Sequence, residues 1–175
     1  MRSTCCRLLF LFAIGVSLFA QGTRGYYRYP TIHGDEIVFT SEGDLWRVGT
    51  NGGQASRLTT HPGEESMAAF SPDGSMVAFS ATYEGPREVY TMPATGGLPV
   101  RRTYDGANAV VVGWTPDGKI LYSTSRYAPL PGNMQLLTID KDNHQGRVPL
   151  SRAEQGVYAP GGRTLFFTRF QKQTS

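Results

Sequence analysis

Three histidines, His33, His61 and His144, are the side chains in this sequence best suited to act as a general base near neutral pH. Each stands in a predicted turn or loop, and no Gly-x-Ser-x-Gly motif places a serine nucleophile beside any of them. Because His61 directly precedes Pro62, we interpret it as a polar loop residue rather than a general base. The sequence therefore predicts no catalytic residue.

Acidic residues offer two further candidates for chemistry. The segment Asp140–Gly146 faintly resembles a calcium loop, but His144 and Gln145 stand where an EF-hand needs an oxygen ligand and a glycine. We interpret this segment as a solvated hairpin tip. Asp73 and Asp117 resemble a pair of acids, but each lies in a Pro-Asp-Gly turn, where aspartate bonds its own backbone. We predict no metal site and no cofactor site.

The Pro-Asp-Gly turns belong to a repeat. An aromatic residue, a small residue and a proline-centred turn recur at Phe70–Gly74, Trp114–Gly118 and Tyr158–Gly162. An apolar run follows each turn, so each unit predicts a strand, a tight turn and a returning strand. The prolines at 72, 116 and 160 are 44 residues apart. Such a period is typical of the four-stranded blades of a β-propeller.

We therefore predict an all-β fold, an incomplete β-propeller of about three and a half four-stranded antiparallel blades. The blades are expected near residues 30–59, 68–103, 109–150 and 156–170, within a domain spanning 23–175. Propellers close with about 4 to 8 blades. We thus expect a fragment, a truncated gene model or one piece of a larger protein, prone to oligomerise or aggregate through open edges. Trp46 and Trp114 are expected in the core between blades.

Residues 1–22 are predicted to form a signal peptide. Arg2 and Arg7 give a positive region, an apolar stretch follows, and small residues suit cleavage after Ala20 or Gly22. The apolar stretch is shorter than the roughly 20 residues that span a bilayer, so an uncleaved anchor is the less favoured alternative. We expect the mature protein in the periplasm or outside the cell, with membrane contact only during export.

Composition limits the partners and the metal chemistry. Removing Arg2 and Arg7 from the 17 Lys and Arg leaves 15 against 14 Asp and Glu. No basic cluster is longer than Arg101–Arg102, so nucleic acid is not an expected partner. Both cysteines, Cys5 and Cys6, lie in the predicted signal peptide. The mature chain is therefore expected to have neither a disulfide nor a thiolate metal site.

The ordered motifs resemble the N-terminal region of the tricorn protease family. The resemblance runs through Pro30–Trp46, Arg57–Gly63, Phe70–Gly74, Val89–Pro93 and Val112–Gly118. It covers essentially all of residues 26–170. Single blades of this kind also resemble TolB propellers and propellers of the prolyl-peptidase type. The ordered set, which starts directly at the expected mature N-terminus, is more specific to the tricorn family.

The resemblance implies a six-bladed propeller followed by a second propeller, a PDZ-like domain and a serine-protease core, with propellers that filter or channel peptides. None of the catalytic region lies in this sequence, so no catalytic residue transfers to it. The expected function is that of the propeller fragment of an exported, peptide-degrading serine protease that is an oligomer at full length. The alternative is a non-enzymatic, TolB-like propeller that binds proteins in the cell envelope. The expected partners are peptides or proteins.

Overall fold

A computed structural model describes residues 25–127, 134–150, 153–159 and 161–169. These residues form strands, turns and loops without any helix, so none of their segments is a helix long and apolar enough to cross a membrane. The predicted signal peptide, residues 1–22, lies outside the described residues. Within them, the predicted all-β class is confirmed.

The strands form four antiparallel sheets, and within each sheet they lie side by side in chain order. Blade one contains β1 (Arg28–His33), β2 (Glu36–Ser41), β3 (Asp44–Gly49) and β4 (Ser56–Arg57). Blade two contains β5 (Glu65–Phe70), β6 (Met76–Ala81), β7 (Glu88–Pro93) and β8 (Val100–Arg101). Blade three contains β9 (Ala109–Trp114), β10 (Ile120–Thr124), β11 (Gln135–Ile139) and β12 (Gln145–Arg147). The described part of blade four contains β13 (Ala153–Tyr158) and β14 (Leu165–Arg169).

The first strands of successive sheets lie next to one another: β1 contacts β5, β5 contacts β9, and β9 contacts β13. The sheets therefore radiate from a common axis that the first strands line, as the blades of a propeller do. Within the described residues the sheets do not close into a ring. The prediction of an incomplete β-propeller is confirmed.

Apolar clusters between neighbouring sheets hold the blades together. Each cluster joins residues of two blades: Val38 and Phe79, then Ala78 and Tyr122, then Leu121 and Ala153. Burying one large apolar side chain contributes about 1.5–3 kcal/mol. The contact between blade faces is therefore the main source of stability that the fold offers.

Every first strand carries a bulge, which the sequence pattern did not reveal. The register shifts once in each of the pairs β1–β2, β5–β6, β9–β10 and β13–β14. A bulge interrupts the alternation of apolar and polar residues, so the residues ahead of it do not look like part of a strand. As a result β1, β5 and β13 begin at Arg28, Glu65 and Ala153, two or three residues before the predicted blade starts.

The turn between β9 and β10 is one residue shorter than its counterparts in blades two and four. Thr115 N donates to Lys119 O across three residues, whereas the equivalent bonds in those two blades span four. Ile120 consequently takes the position of Val77 in the ladder. A slip of one residue exchanges the two faces of a strand. The period of 44 residues therefore holds for the turns but not for the strand that follows.

The β-turns of neighbouring blades pack closely at one end of the sheets. Gly74 has a φ of 72°, and a Cβ built there would overlap the imidazole of His33 in blade one. At the same position of blade four, a Cβ on Gly162 would lie 2.5 Å from Pro116. Gly118 of blade three has a similar φ of 80°, but no described atom lies within 4 Å of such a Cβ.

Candidate functional site

The first strands present a wall toward the propeller axis. A cavity of about 400 Å³ lies against β5, β9 and β13. Its lining is mainly apolar and includes Met67, Val110–Val112 and Met134, with Ser123, Glu154 and Gln155 as polar members. A concave, mainly apolar lining with a few polar groups suits the binding of a ligand such as an extended peptide.

Two bulges on this wall hold large side chains in a strained backbone. Tyr29 and Met67 have φ angles of 51° and 54°, a left-handed conformation that side-chain-bearing residues seldom adopt. They occupy equivalent places, because Arg28 pairs with Thr40 just as Ser66 pairs with Ser80. Bulges often re-aim side chains near functional sites. This repeated strain marks the first strands as the candidate functional surface.

A buried carboxylate lies where blade one joins blade two. Glu65 is 1 % exposed and accepts hydrogen bonds from Thr59 Oγ1 and Tyr83 Oη, each at 2.6 Å. The Thr59 hydroxyl in turn accepts a bond from Leu45 N at 2.8 Å. Burial raises the pKa of Glu65 above its ordinary value, against the hydroxyl bonds, which lower it. The Asp44 charge raises the pKa further, and His61 lowers it.

The junction between blades two and three uses a different carboxylate for the same task. Thr103 Oγ1 accepts a bond from Val89 N at 2.8 Å and donates to Glu88. Glu88 is also 1 % exposed, but it is paired with Arg101 at 3.1 Å and accepts a bond from Gly106 N at 3.0 Å. One junction therefore relies on neutral hydroxyls and the other on an ion pair.

The three histidines lie apart and bond to groups other than a serine hydroxyl in the described structure. His33 Nε2 lies 3.3 Å from Pro72 O. His61 Nδ1 accepts a bond from Gly63 N at 2.9 Å, and its ring lies 3.9 Å from that of Tyr83. His144 Nδ1 lies 3.2 Å from Asp140 Oδ2. This geometry supports the interpretation of His61 as a loop residue.

The candidate calcium loop is a self-bonded turn between β11 and β12. Ligand atoms of Asp140, Asp142 and His144 lie within 4.8 Å of one another. Asp140 Oδ1, however, accepts bonds from the amides of Asp142 and His144, each at 2.9 Å, and these bonds lower its pKa. Asp142 is paired with Lys141 at 2.8 Å. The three side chains thus stabilise a hairpin tip.

Asp73 and Asp117 close their own turns. Asp73 accepts bonds from Ser71 Oγ at 2.5 Å and Ser75 Oγ at 2.8 Å, and these lower its pKa to about 2. Asp117 pairs with Lys119 at 2.7 Å, which lowers its pKa. Both turns line a groove of about 550 Å³ between blades two and three. Each aspartate is bonded within its own turn.

The two tryptophans differ from each other. Trp114 lies between blades: it packs against the second apolar cluster, and its Nε1 donates to Ala69 O at 2.9 Å. For Trp46 the expectation stays a prediction, because the described residues include no blade on its side of blade one; its Nε1 donates at 3.1 Å to Ser41 O of its own blade. Trp46 pairs with Phe39, on the face of blade one opposite the one that meets blade two.

Sequence reasoning missed the buried carboxylates. Glu65 stands in a polar stretch that looks like a surface linker, and Glu88 begins a strand next to a loop. A signal was present, since Thr59 and Thr103 stand 44 residues apart. A threonine that recurs two residues after the outer strands of blades one and two suggests a repeated side-chain hydrogen bond, although it does not reveal which acid accepts it.

The radial sheets and the wall of first strands define a β-propeller domain. Residues 24–175 match the family described as the tricorn protease N-terminal beta propeller domain, and the chain belongs to that family.

Individual relatives agree with this assignment. The chain is 38% identical over 97 residues to tricorn protease homolog 1 of Streptomyces coelicolor, covering 55% of this chain and 9% of that protein. It is 31% identical over 121 residues to a putative tricorn-like protease N-terminal subunit of Sulfurisphaera tokodaii, covering 66% of this chain and 60% of that one. The chain thus spans a small part of the first relative and less than two thirds of the second.

Solved structures show the same fold. The crystal structure of the tricorn protease superposes with a TM-score of 0.70 at 25% identity, over 79% of this chain and 15% of that chain. A putative TolB from Agrobacterium tumefaciens superposes with a TM-score of 0.71 at 26% identity, over 83% and 54%.

Proposed function

We propose that this chain is part of the N-terminal propeller of an exported, tricorn-like serine protease that degrades peptides, where it filters or channels substrate. The family match over residues 24–175 carries the proposal. The apolar wall of first strands supports a role in guiding an extended chain. Catalysis would then depend on residues outside this sequence, in a full-length oligomer.

A paired assay with fluorogenic peptides tests the assignment to a protease. We expect the complete gene product to hydrolyse peptides and residues 23–175 to hydrolyse none, because acyl transfer needs a nucleophile, a base and an oxyanion site together. Turnover by residues 23–175 that is lost in His61→Ala would contradict our interpretation of that histidine. Inactivity of both proteins would exclude the protease function.

A second pair of variants tests the channel. In the complete protein, Val110→Trp would place a bulky side chain in the cavity that lies against the first strands, because Val110 lines that cavity. Val100→Trp adds the same bulk at the outer edge of blade two, where Val100 is 50% exposed. We expect Val110→Trp to lower kcat/KM for long peptides more than for short ones, and Val100→Trp to leave both unchanged. Equal effects of the two variants would refute the channel while leaving the protease assignment intact.

The second candidate function is a non-enzymatic, TolB-like module that binds proteins in the cell envelope. The fit to the Agrobacterium TolB, with a TM-score of 0.71, favours it. The genomic sequence after Ser175 discriminates between the two. A second propeller and a protease core would favour the protease, and a stop after the remaining blades would favour the binding module.

Export to the periplasm or beyond is part of the proposal and rests on the sequence pattern of residues 1–22. Mass spectrometry of the mature N-terminus tests it, and we expect the chain to begin after Ala20 or Gly22. An intact Met1 in a cytosolic fraction would exclude export.

A further inference from the structure

The two blade junctions carry side chains of different size and polarity at one equivalent position. Glu65 begins β5 and pairs with Ala81, and Ala109 begins β9 and pairs with Thr124. The amides of both residues donate at 2.7 Å to the loop ahead of the third strand of the preceding blade. Ala109 therefore occupies the place of Glu65. The side chain that carries a carboxylate into the first junction has no counterpart in the second.

Two buried polar atoms belong to this second junction. The Asp105 side chain is 1 % exposed, and its Oδ1 accepts bonds from Arg126 Nη1 at 3.3 Å and Gln145 Nε2 at 2.9 Å. Among the described residues, Asp105 Oδ2 has no hydrogen-bond partner, and the same holds for the hydroxyl of the fully buried Tyr122. An unpaired polar group away from water is unfavourable, so both atoms call for a partner.

The two atoms are chemically complementary and belong to one environment. Burial, followed by the charge of Asp105, raises the pKa of the Tyr122 hydroxyl. The hydroxyl therefore stays protonated and is a donor, whereas Asp105 Oδ2 is an acceptor. Both side chains belong to this junction, since Tyr122 lies in one apolar cluster with Val89, and the Asp105 amide donates at 3.3 Å to the adjacent Glu88.

The charges of the junction limit what the partner can be. Glu88 is paired with Arg101 at 3.1 Å, and Asp105 with Arg126 at 3.3 Å. Each buried carboxylate already has a cation, so neither attracts a metal ion strongly. The ligand that fits is small and neutral and both donates and accepts hydrogen bonds. Buried water typically fills such sites and makes about two to four bonds.

We propose that the junction between blades two and three binds one buried water molecule, which accepts a hydrogen bond from Tyr122 Oη and donates one to Asp105 Oδ2. This water links the loop that enters blade three to the second strand of that blade. It replaces the direct hydroxyl-to-carboxylate bond that Tyr83 makes to Glu65 in the first junction.

A high-resolution crystal structure of the chain tests the site directly. We expect one ordered water within hydrogen-bond distance of both oxygens. A protein atom bonded to either of them would overturn the proposal. So would a cation with six or more oxygen ligands at about 2.3–2.6 Å, the coordination that calcium takes.

A double-mutant cycle tests the site in solution with Tyr122→Phe, Asp105→Asn and the combined variant. If one water serves both groups, losing the second group costs less than losing the first. Each substitution raises the equilibrium constant for unfolding by some factor. The factor measured for the combined variant should then be smaller than the product of the two single factors by about threefold or more. The control is Thr40→Val, which removes another buried hydroxyl without a described partner. Its effect on the unfolding constant should multiply with that of Asp105→Asn, as expected for two sites that do not interact. Full independence of Tyr122→Phe and Asp105→Asn would overturn the proposal.

Discussion

The sharpest test of the blade junctions compares two glutamates that are equally buried and differently paired. Glu65 and Glu88 are both 1 % exposed. Glu65 accepts its hydrogen bonds from two neutral hydroxyls, whereas Glu88 is paired with Arg101 at 3.1 Å. The perturbation is a change of each glutamate to glutamine, which keeps the shape of the side chain and removes its charge.

The sign of the pH effect follows from the raised pKa of Glu65. The folded chain holds this proton at a pH where the unfolded chain, with an ordinary value of 4.5, has lost it. The stabilisation is complete below the unfolded pKa and is lost as the pH rises through the folded pKa. In that window the free energy of unfolding falls by up to about 1.4 kcal/mol per pH unit, the limit for one proton. Glu65→Gln should lack this slope, and its stability relative to wild type should rise with pH.

Glu88→Gln should differ from Glu65→Gln in its effect on stability at neutral pH. It removes the buried partner of Arg101 and leaves that guanidinium paired only with the exposed Glu84, at 2.8 Å. Breaking a fully buried pair costs about 3–5 kcal/mol, so we expect a loss of up to about 3 kcal/mol here. We therefore expect this variant to be clearly destabilised at neutral pH, where Glu65→Gln is nearly neutral or stabilising.

Urea unfolding followed by tryptophan fluorescence, at intervals between pH 4.5 and pH 8, measures both effects. The difference in unfolding free energy between wild type and each variant removes the contribution of groups that do not interact with the substituted glutamate. If the difference in unfolding free energy between wild type and Glu65→Gln is constant across this pH range, the reasoning is refuted, because Glu65 would then have the same pKa in the folded and the unfolded chain. Equal losses for the two variants at neutral pH would show that their different pairing is irrelevant.

The remaining predictions concern turns and one inter-blade bond. Gly118→Ala should lower the free energy of unfolding by about 1–2 kcal/mol, the general cost of a left-handed backbone. Gly74→Ala should cost more, because its Cβ would also overlap the imidazole of His33 on the neighbouring turn. Equal losses in thermal unfolding would contradict this packing. Trp114→Phe should speed amide exchange in β5 and β9 by removing the bond between blades, whereas Trp46→Phe should not, since its bond stays within blade one. Asp73 has a pKa lowered to about 2 by its serine bonds, so the stability it adds above pH 3.8 should disappear as the pH falls toward 2. The difference in unfolding free energy between wild type and Asp73→Asn should therefore shrink over that pH interval. A difference that stays constant in acid titrations would contradict the stabilising role of the two serine bonds.

The sheets could be predicted because turn chemistry is local. The Pro-Asp-Gly motif specifies a turn through the fixed φ of proline and the positive φ of glycine. The repetition of this proline-centred turn every 44 residues, as Pro-Asp-Gly twice and then as Pro-Gly-Gly, specifies the blade. Bulges could not be predicted, because nothing in the side chains of Tyr29 or Met67 indicates a positive φ. The shorter turn of blade three could not be predicted either, since Thr115–Lys119 follows the same pattern as the longer turn of blade two.

The buried acids were missed for a different reason. Glu65 and Glu88 are charged residues beside loops, and such residues are mostly exposed. Their burial depends on Thr59 and Thr103, which approach them only after the outer strand of one blade turns into the next. The roles of the turn aspartates were easier to predict, because their hydrogen-bond partners lie within two residues along the chain. Local contacts are visible in a sequence, and contacts between blades become visible only once the register is known.

The junctions also explain how a repeat keeps its geometry while its residues change. Thr59 and Thr103 each accept a bond from the third strand and donate to a carboxylate. In the first junction the acid comes from the strand that follows, and in the second from the third strand itself. Glu65 lies on the same strand as the strained Met67, two residues away. If the first junction is weakened as the pH rises, we therefore expect β5, which belongs to the wall of first strands, to be affected directly. The second junction is instead held by the ion pair of Glu88 and Arg101, which lies outside that wall.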